Sequence, residues 1–177
     1  MRAKSEILIP LVAARIESEL ARQNPSNDFL YHASTLIATA GTEEAFLTIL
    51  RIFKDDAKRR DSYATWVLVE AFSINKIKGI ALWYKSLDSP VAMIRGPAGD
   101  VCRDVLGGGV LSKEIWTAWT EALMLRHGHY PGEEEMRIDP IVAAIERRNM
   151  TTAYEIRRKI VEFASQLRLE RENAPKK

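Results

Sequence analysis

Between short clusters of helix-breaking residues, the apolar side chains of this chain fall three and four apart, and that spacing directs it to helices. The breakers are Asn24-Pro25-Ser26-Asn27, Gly41-Thr42, Asp55-Asp56, Ser73 to Asn75, Asp88-Ser89-Pro90 and Gly107-Gly108-Gly109. Phe46, Leu50 and Phe53 form one stripe, Ile80, Trp83 and Leu87 a second, and Ile115, Trp119 and Ala122 a third. Helix-start chemistry agrees with the stripes. Thr42 precedes Glu43-Glu44, and Ser112 precedes Glu114, so each hydroxyl can satisfy a free backbone N–H while the acid meets the positive helix end. The run Trp66-Val67-Leu68-Val69 would also suit a buried strand. Its helical neighbours favour a helix over Tyr63 to Ile74, covered on most sides.

The two ends read differently. Ile7 to Ala14 is apolar around Pro10, but Glu6 precedes it and Arg15 and Glu17 follow, which argues against a leader peptide. A helix with Pro10 in its first turn is expected, with Ile9, Val12, Ile16 and Leu20 on one face. Near the other end, His127 to Gly132 and the acidic Glu133-Glu134-Glu135 read as a loop. Asp139-Pro140 then starts a helix that Asn149 closes. Thr152 and Glu155 are spaced as a capping box before Ile156, Ile160, Phe163 and Leu167. Residues Arg171 to Lys177 are expected to fray.

The stripes also recur. Phe46 to Ile80 spans 34 residues and Ile80 to Ile115 spans 35, while Leu36 to Leu68 spans 32 and Leu68 to Cys102 spans 34. A period in this range with two helices per unit marks an α-solenoid, because a single helical hairpin cannot bury its own apolar face. At Leu87-Asp88-Ser89-Pro90 followed by Arg95, the chain resembles HEAT-type helical repeats, in which an aspartate and an arginine recur at the hairpin. Asp55-Asp56 with Arg59-Arg60 is a looser copy, and Gly96-Pro97 suits the kinked first helix of such units. The resemblance covers about residues 28–130 and implies an all-α fold of stacked hairpins. Apolar helices with short turns produce similar spacing, so an irregular helical bundle is the alternative architecture.

With 177 residues the chain can bury about 70% of its unfolded surface, enough for one domain without disulfides or metal. Its expected parts are an N-terminal helix (1–27), HEAT-like hairpins (28–130), and an acidic loop with a basic C-terminal hairpin (131–177). Cys102 has no partner for a bridge, and its apolar setting reads as a buried free thiol in a reducing compartment. No apolar run reaches the ~18 residues a membrane span requires. A cytoplasmic protein with no membrane partner is the expectation.

Catalytic and cofactor signatures do not assemble. Cys102 has no adjacent histidine to activate it, and no Ser-His-acid motif is recognisable. Gly107-Gly108-Gly109 to Lys113 lacks the spacing of a phosphate loop and follows a helix, so a turn is the plainer reading. His127 and His129 near Glu133 to Glu135 carry metal-capable side chains, yet neither an HExxH helix nor a second Cys or His pair accompanies them. His32, beside Tyr31, reads as a packed histidine. The expectation is therefore no enzyme, no cofactor and no metal.

Two binding surfaces remain. Adjacent Trp83 and Tyr84 must point in different directions, and Trp116 and Trp119 lie three apart, so part of this set is expected at a surface. In a HEAT-like stack the second helices line the concave side. Trp83, Tyr84, Trp116 and Trp119, with Arg51 and Lys54 at the rim, would there anchor another protein. A non-catalytic adaptor, inhibitor or immunity-type protein is the leading expectation. The alternative is nucleic-acid binding. Residues Arg137 to Lys177 hold ten basic and six acidic side chains, a net +4 in a chain of net +2. Arg147, Arg148, Arg157, Arg158 and Lys159 would form a phosphate-facing stripe. Glu146, Glu155, Glu162 and Glu170 dilute it, which is how an ordinary solvated face also looks.

Overall fold

The computed structural model describes residues 2–108 and 111–173, with side chains from Leu8 onward. Gly109, the third of the glycine run, and the last four residues of the expected frayed tail lie outside the described residues. Ten helices are described: α1 Arg2–Leu20, α2 Asn27–Ala38, α3 Glu43–Ile52, α4 Ala57–Ile74, α5 Lys76–Leu87, α6 Ala92–Leu106, α7 Lys113–His127, α8 Glu133–Arg137, α9 Pro140–Glu146 and α10 Met150–Glu172. The described residues contain no strand, so the fold is all-α.

Local chemistry sets most helix starts. Thr42 accepts from the Ala45 amide at 3.2 Å, Ser112 from Ile115 at 3.4 Å, and Asp139 from Val142 at 2.9 Å. Each removes one of the unsatisfied donors of a first turn. Four expectations need correcting. Pro10 lies well inside α1 rather than in its first turn. Asn149, not Thr152, caps α10, accepting from the Thr152 amide at 3.0 Å, so the expected capping box falls within the helix. Glu133 to Glu135 open the short helix α8 instead of a loop, with Glu135 accepting from the Gly132 amide at 2.9 Å. Arg171 and Glu172 continue α10.

Helices pack in alternation. α4 contacts α2 and α6, and α6 contacts α9; on the other side α1 meets α3, and α7 meets both α5 and α10. α4 also packs on α3 and α5, and α5 in turn packs on α6 and α9, so these two helices are the central pair. One apolar core runs from Ile9 to Ile160 and includes Phe46, Phe53, Leu68, Ile80, Trp83, Leu106, Trp119 and Leu123. The expected stripes therefore face inward. Leu36 does not: it is exposed, and its neighbour Ile37 fills the core instead.

Two glycines fix how closely the chain approaches α4. A Cβ on Gly79 would stand 2.3 Å from Phe72 Cα, so α5 crosses α4 at a distance only glycine permits. Gly41 holds φ +57°, and a Cβ there would meet the Ala71 amide nitrogen at 2.8 Å. The α2–α3 turn is thus pressed onto the same Ala71–Phe72 turn of α4 that α5 approaches. α3 and α5 consequently both lean on α4, yet touch each other only marginally.

Candidate functional site

The aromatic anchor set expected from sequence is largely interior. Trp83, Tyr84 and Trp119 are buried, and Trp116 is half-buried with its ring parallel to that of Trp119, centroids 6.1 Å apart. This corrects the expected partner surface. Adjacent side chains on α5 diverge by about 100°, but α5 is covered by α4 on one side and by α7 and α9 on the other, so both find cover. Trp83 stacks on Phe72 at 4.9 Å and its indole N–H donates to the Leu68 carbonyl at 3.0 Å. Arg51 and Lys54 are exposed as expected, but Arg51 is joined to Glu17 of α1 and Lys54 lies 4.0 Å from Asp55.

Tyr84 and Trp119 belong to a buried polar cluster. The Tyr84 hydroxyl donates to Asp139 Oδ2 at 2.6 Å and accepts from Trp119 Nε1 at 2.7 Å. Asp139 Oδ1 meanwhile caps α9, so one carboxylate joins α5, α7 and α9. Burial raises the Asp139 carboxyl above its ordinary value, although the Tyr84 hydroxyl and the Val142 and Ile141 amides oppose that rise. Burial, and then the Asp139 charge, push the Tyr84 phenol and the Cys102 thiol far upward. The Arg126 guanidinium covers the Tyr84 ring at 4.8 Å and pairs with Asp88 at 2.5 Å and 3.1 Å. The cluster is sealed from solvent.

The basic C-terminal set is mostly engaged. Arg148 binds Asp104 at 2.9 Å, Arg157 binds Glu146 at 2.6 Å, and Arg158 lies 3.6 Å from Glu162. Arg147 and Lys159 are exposed without an ion pair among the described residues. Three of the five cations of the expected stripe thus lie within 4.0 Å of a carboxylate, which lowers the charge it presents to phosphates. His129 Nε2 stands 3.7 Å from Glu135 Oε1, and its ring centroid is 6.1 Å from that of His127. No three metal-capable side chains converge among the described residues.

A groove lies open between α3 and α5, which touch each other only marginally. Its broader end, about 500 Å³, is lined by Gly41, Thr42, Ile74, Asn75, Lys78 and Ala81, among others. A second hollow of about 250 Å³ continues it past Phe46, Leu47, Asp88 and Ile94; Glu43, Leu82 and Lys85 line both. Leu47 and Ile74 are 46% and 55% exposed, far above the neighbouring core positions. The walls follow from helical periodicity. Lys78, Ala81, Leu82 and Lys85 share one face of α5, and Glu43, Phe46 and Leu47 share one face of α3.

Electrostatically the groove is polarised. Thr42 and Asn75 cap α3 and α5 at the broad end, which places two positive helix termini there. Lys85 bridges the groove to Glu43 at 2.6 Å, and Lys76 pairs with Glu114 at 2.9 Å. Lys78 has no carboxylate within 4.0 Å among the described residues. Asp88, held by Arg126, marks the opposite end. Sequence reasoning missed this site, although Leu47, one residue off its apolar stripe, and two lysines flanking a small Ala81 were visible signals. Compared with known proteins, the chain matches no protein-family model, no curated protein and no solved structure.

Proposed function

We propose that this chain is a non-catalytic protein-binding module, of the adaptor, inhibitor or immunity type, whose partner seats in the groove between α3 and α5. The observation that carries the reading is the groove itself: exposed Leu47 and Ile74 beside Ala81 and Leu82, with Lys78 at one end and the Lys85–Glu43 ion pair across it. Apolar centre and polar rim are the anatomy of a protein interface. The alternating helix contacts support reading the chain as short stacked hairpins of HEAT-like character, in which helices of one row present a continuous face. The residues that face the partner are Leu47, Ile74, Lys78, Ala81 and Leu82. This placement replaces the aromatic set Trp83, Tyr84 and Trp119. A cytoplasmic setting accords with the buried free thiol of Cys102, and no helix described is long and apolar enough to cross a membrane.

Site-specific photocrosslinking tests the proposal. A photoreactive residue at Leu47 should trap one protein in cells of the native host, whereas the same residue at exposed Tyr154 on α10 should not. The trapped protein, once purified, should bind the full chain directly. Equal capture at both positions, or none at Leu47, refutes it.

A further inference from the structure

The groove is directional as well as apolar, and that narrows what can occupy it. Both capped N-termini, those of α3 and α5, open at the broad end, where Lys78 has no carboxylate within 4.0 Å among the described residues. The far end carries Asp88 beyond the last turn of α5. α3 and α5 therefore run the same way along the groove, with positive potential at their starts and negative potential at their finish. From Lys78 to Asp88 the wall is ten residues of helix, about 15 Å at 1.5 Å per residue. Along the groove, Ile74 and Ala81 line the broad end, Leu47 lines the narrower end, and Leu82 lines both.

Resting on the protein-binding reading, we infer that the occupant is an amphipathic helical segment of about three turns, lying antiparallel to α5, with a carboxylate near its C-terminal end paired to Lys78. Three turns of helix match the length of the wall. Apolar side chains at i, i+3 or i+4, and i+7 would fall on Ile74, Ala81 and Leu47. The antiparallel direction sets the negative end of the docked helix against Lys78 and the two positive helix termini, and its positive end against the C-terminal end of α5. The opposite direction would place like ends together. A phosphate backbone is the poorer match, because of the two lysines that line the groove Lys85 is already held by Glu43.

The test uses a displayed library of random 15-residue peptides, selected against the full chain and counter-selected against the groove-filling variant Ala81→Trp. Enriched peptides should share the i, i+3/i+4, i+7 apolar pattern with Asp or Glu near the C-terminal end. Synthetic versions should bind the chain at micromolar concentration. Lys78→Gln should weaken binding by about fivefold, the scale of one half-exposed ion pair. Lys78→Glu should weaken it by tenfold or more, and a peptide with its acid changed to Lys should recover affinity for that variant. Lys78 is exposed, so far-UV spectra of both variants should match the parent. Enrichment without an acidic position, or affinity unmoved by Lys78→Glu, overturns the carboxylate pairing while leaving a protein-binding groove. No enrichment above the Ala81→Trp background, or self-association of the chain abolished by Ala81→Trp, overturns the helical-segment occupant itself.

Discussion

Replacing Tyr84 by Phe removes one hydroxyl from the core and breaks two hydrogen bonds at once. The Asp139 carboxylate loses the donor at 2.6 Å, and the Trp119 indole N–H loses the acceptor at 2.7 Å. A hydrogen bond to a charged group contributes about 1.5–3 kcal/mol, and a buried orphaned donor costs about 1–3 kcal/mol. With some relaxation of the pocket, Tyr84→Phe should cost about 3 kcal/mol, equivalent to roughly 9 °C in melting temperature for a chain of this size. The pH dependence has a definite sign. Burial raises the Asp139 carboxyl in the folded state, so its contribution to stability is complete below the ordinary carboxylate range and is lost as pH rises through the folded value. The Tyr84 hydroxyl opposes that rise, so without it the folded value moves higher still. The cost of the substitution is then greatest near neutral pH and shrinks as Asp139 becomes protonated. Urea denaturation followed by far-UV circular dichroism, at pH 7.5 and again at pH 4.5, measures this without relying on the fluorescence of the neighbouring Trp119. A cost below about 1 kcal/mol at pH 7.5, or one that grows on acidification, would refute the assigned network.

Three further outcomes follow from named contacts. Gly79→Ala places a Cβ 2.3 Å from Phe72 Cα, backbone that cannot yield, so a loss of about 3 kcal/mol or more is expected by thermal denaturation; a loss under about 1 kcal/mol would mean α5 can lift off α4. Cys102 is fully buried and its thiol is raised by that burial, so native protein should resist a disulfide-exchange reagent and react fully in urea. Prompt labelling of the native state would contradict the packing of α6. Arg158→Ala removes only an exposed pair to Glu162, and should change stability by less than about 0.5 kcal/mol while leaving duplex DNA binding undetected at low salt. Salt-sensitive DNA binding that this substitution weakens would return the basic helices to the account.

Much of the helical framework was legible because its signals are local. Thr42, Ser112 and Asp139 announce helix starts through side chains that reach an amide three residues on. Phe46, Leu50 and Phe53 declare an inward face by spacing alone, and all three are buried. What spacing cannot say is how many sides of a helix are covered. Trp83 and Tyr84 suggested an exposed aromatic because neighbours diverge, yet α5 is packed on several sides and buries both. Asp139 read as a cap only; its second oxygen meets Tyr84, 55 residues away in sequence, and no local pattern encodes that. The groove was hidden for the same reason. It lies where Gly41 and Gly79 bring the starts of α3 and α5 against the same turn of α4, and that is a property of packing rather than of any single segment. Leu36 illustrates the converse, since a periodic step counted from it matches buried Leu68 and Cys102 although Leu36 itself faces out.

The most direct test of the binding account is the affinity of the protein trapped at Leu47 for the full chain and for Ala81→Trp, measured by titration calorimetry with both partners purified. Ala81 is exposed on the groove wall, so the larger side chain fills the groove without entering the core. The account predicts an unchanged melting temperature and at least a tenfold weaker complex. Equal affinity for the two proteins would place the partner elsewhere and contradict it.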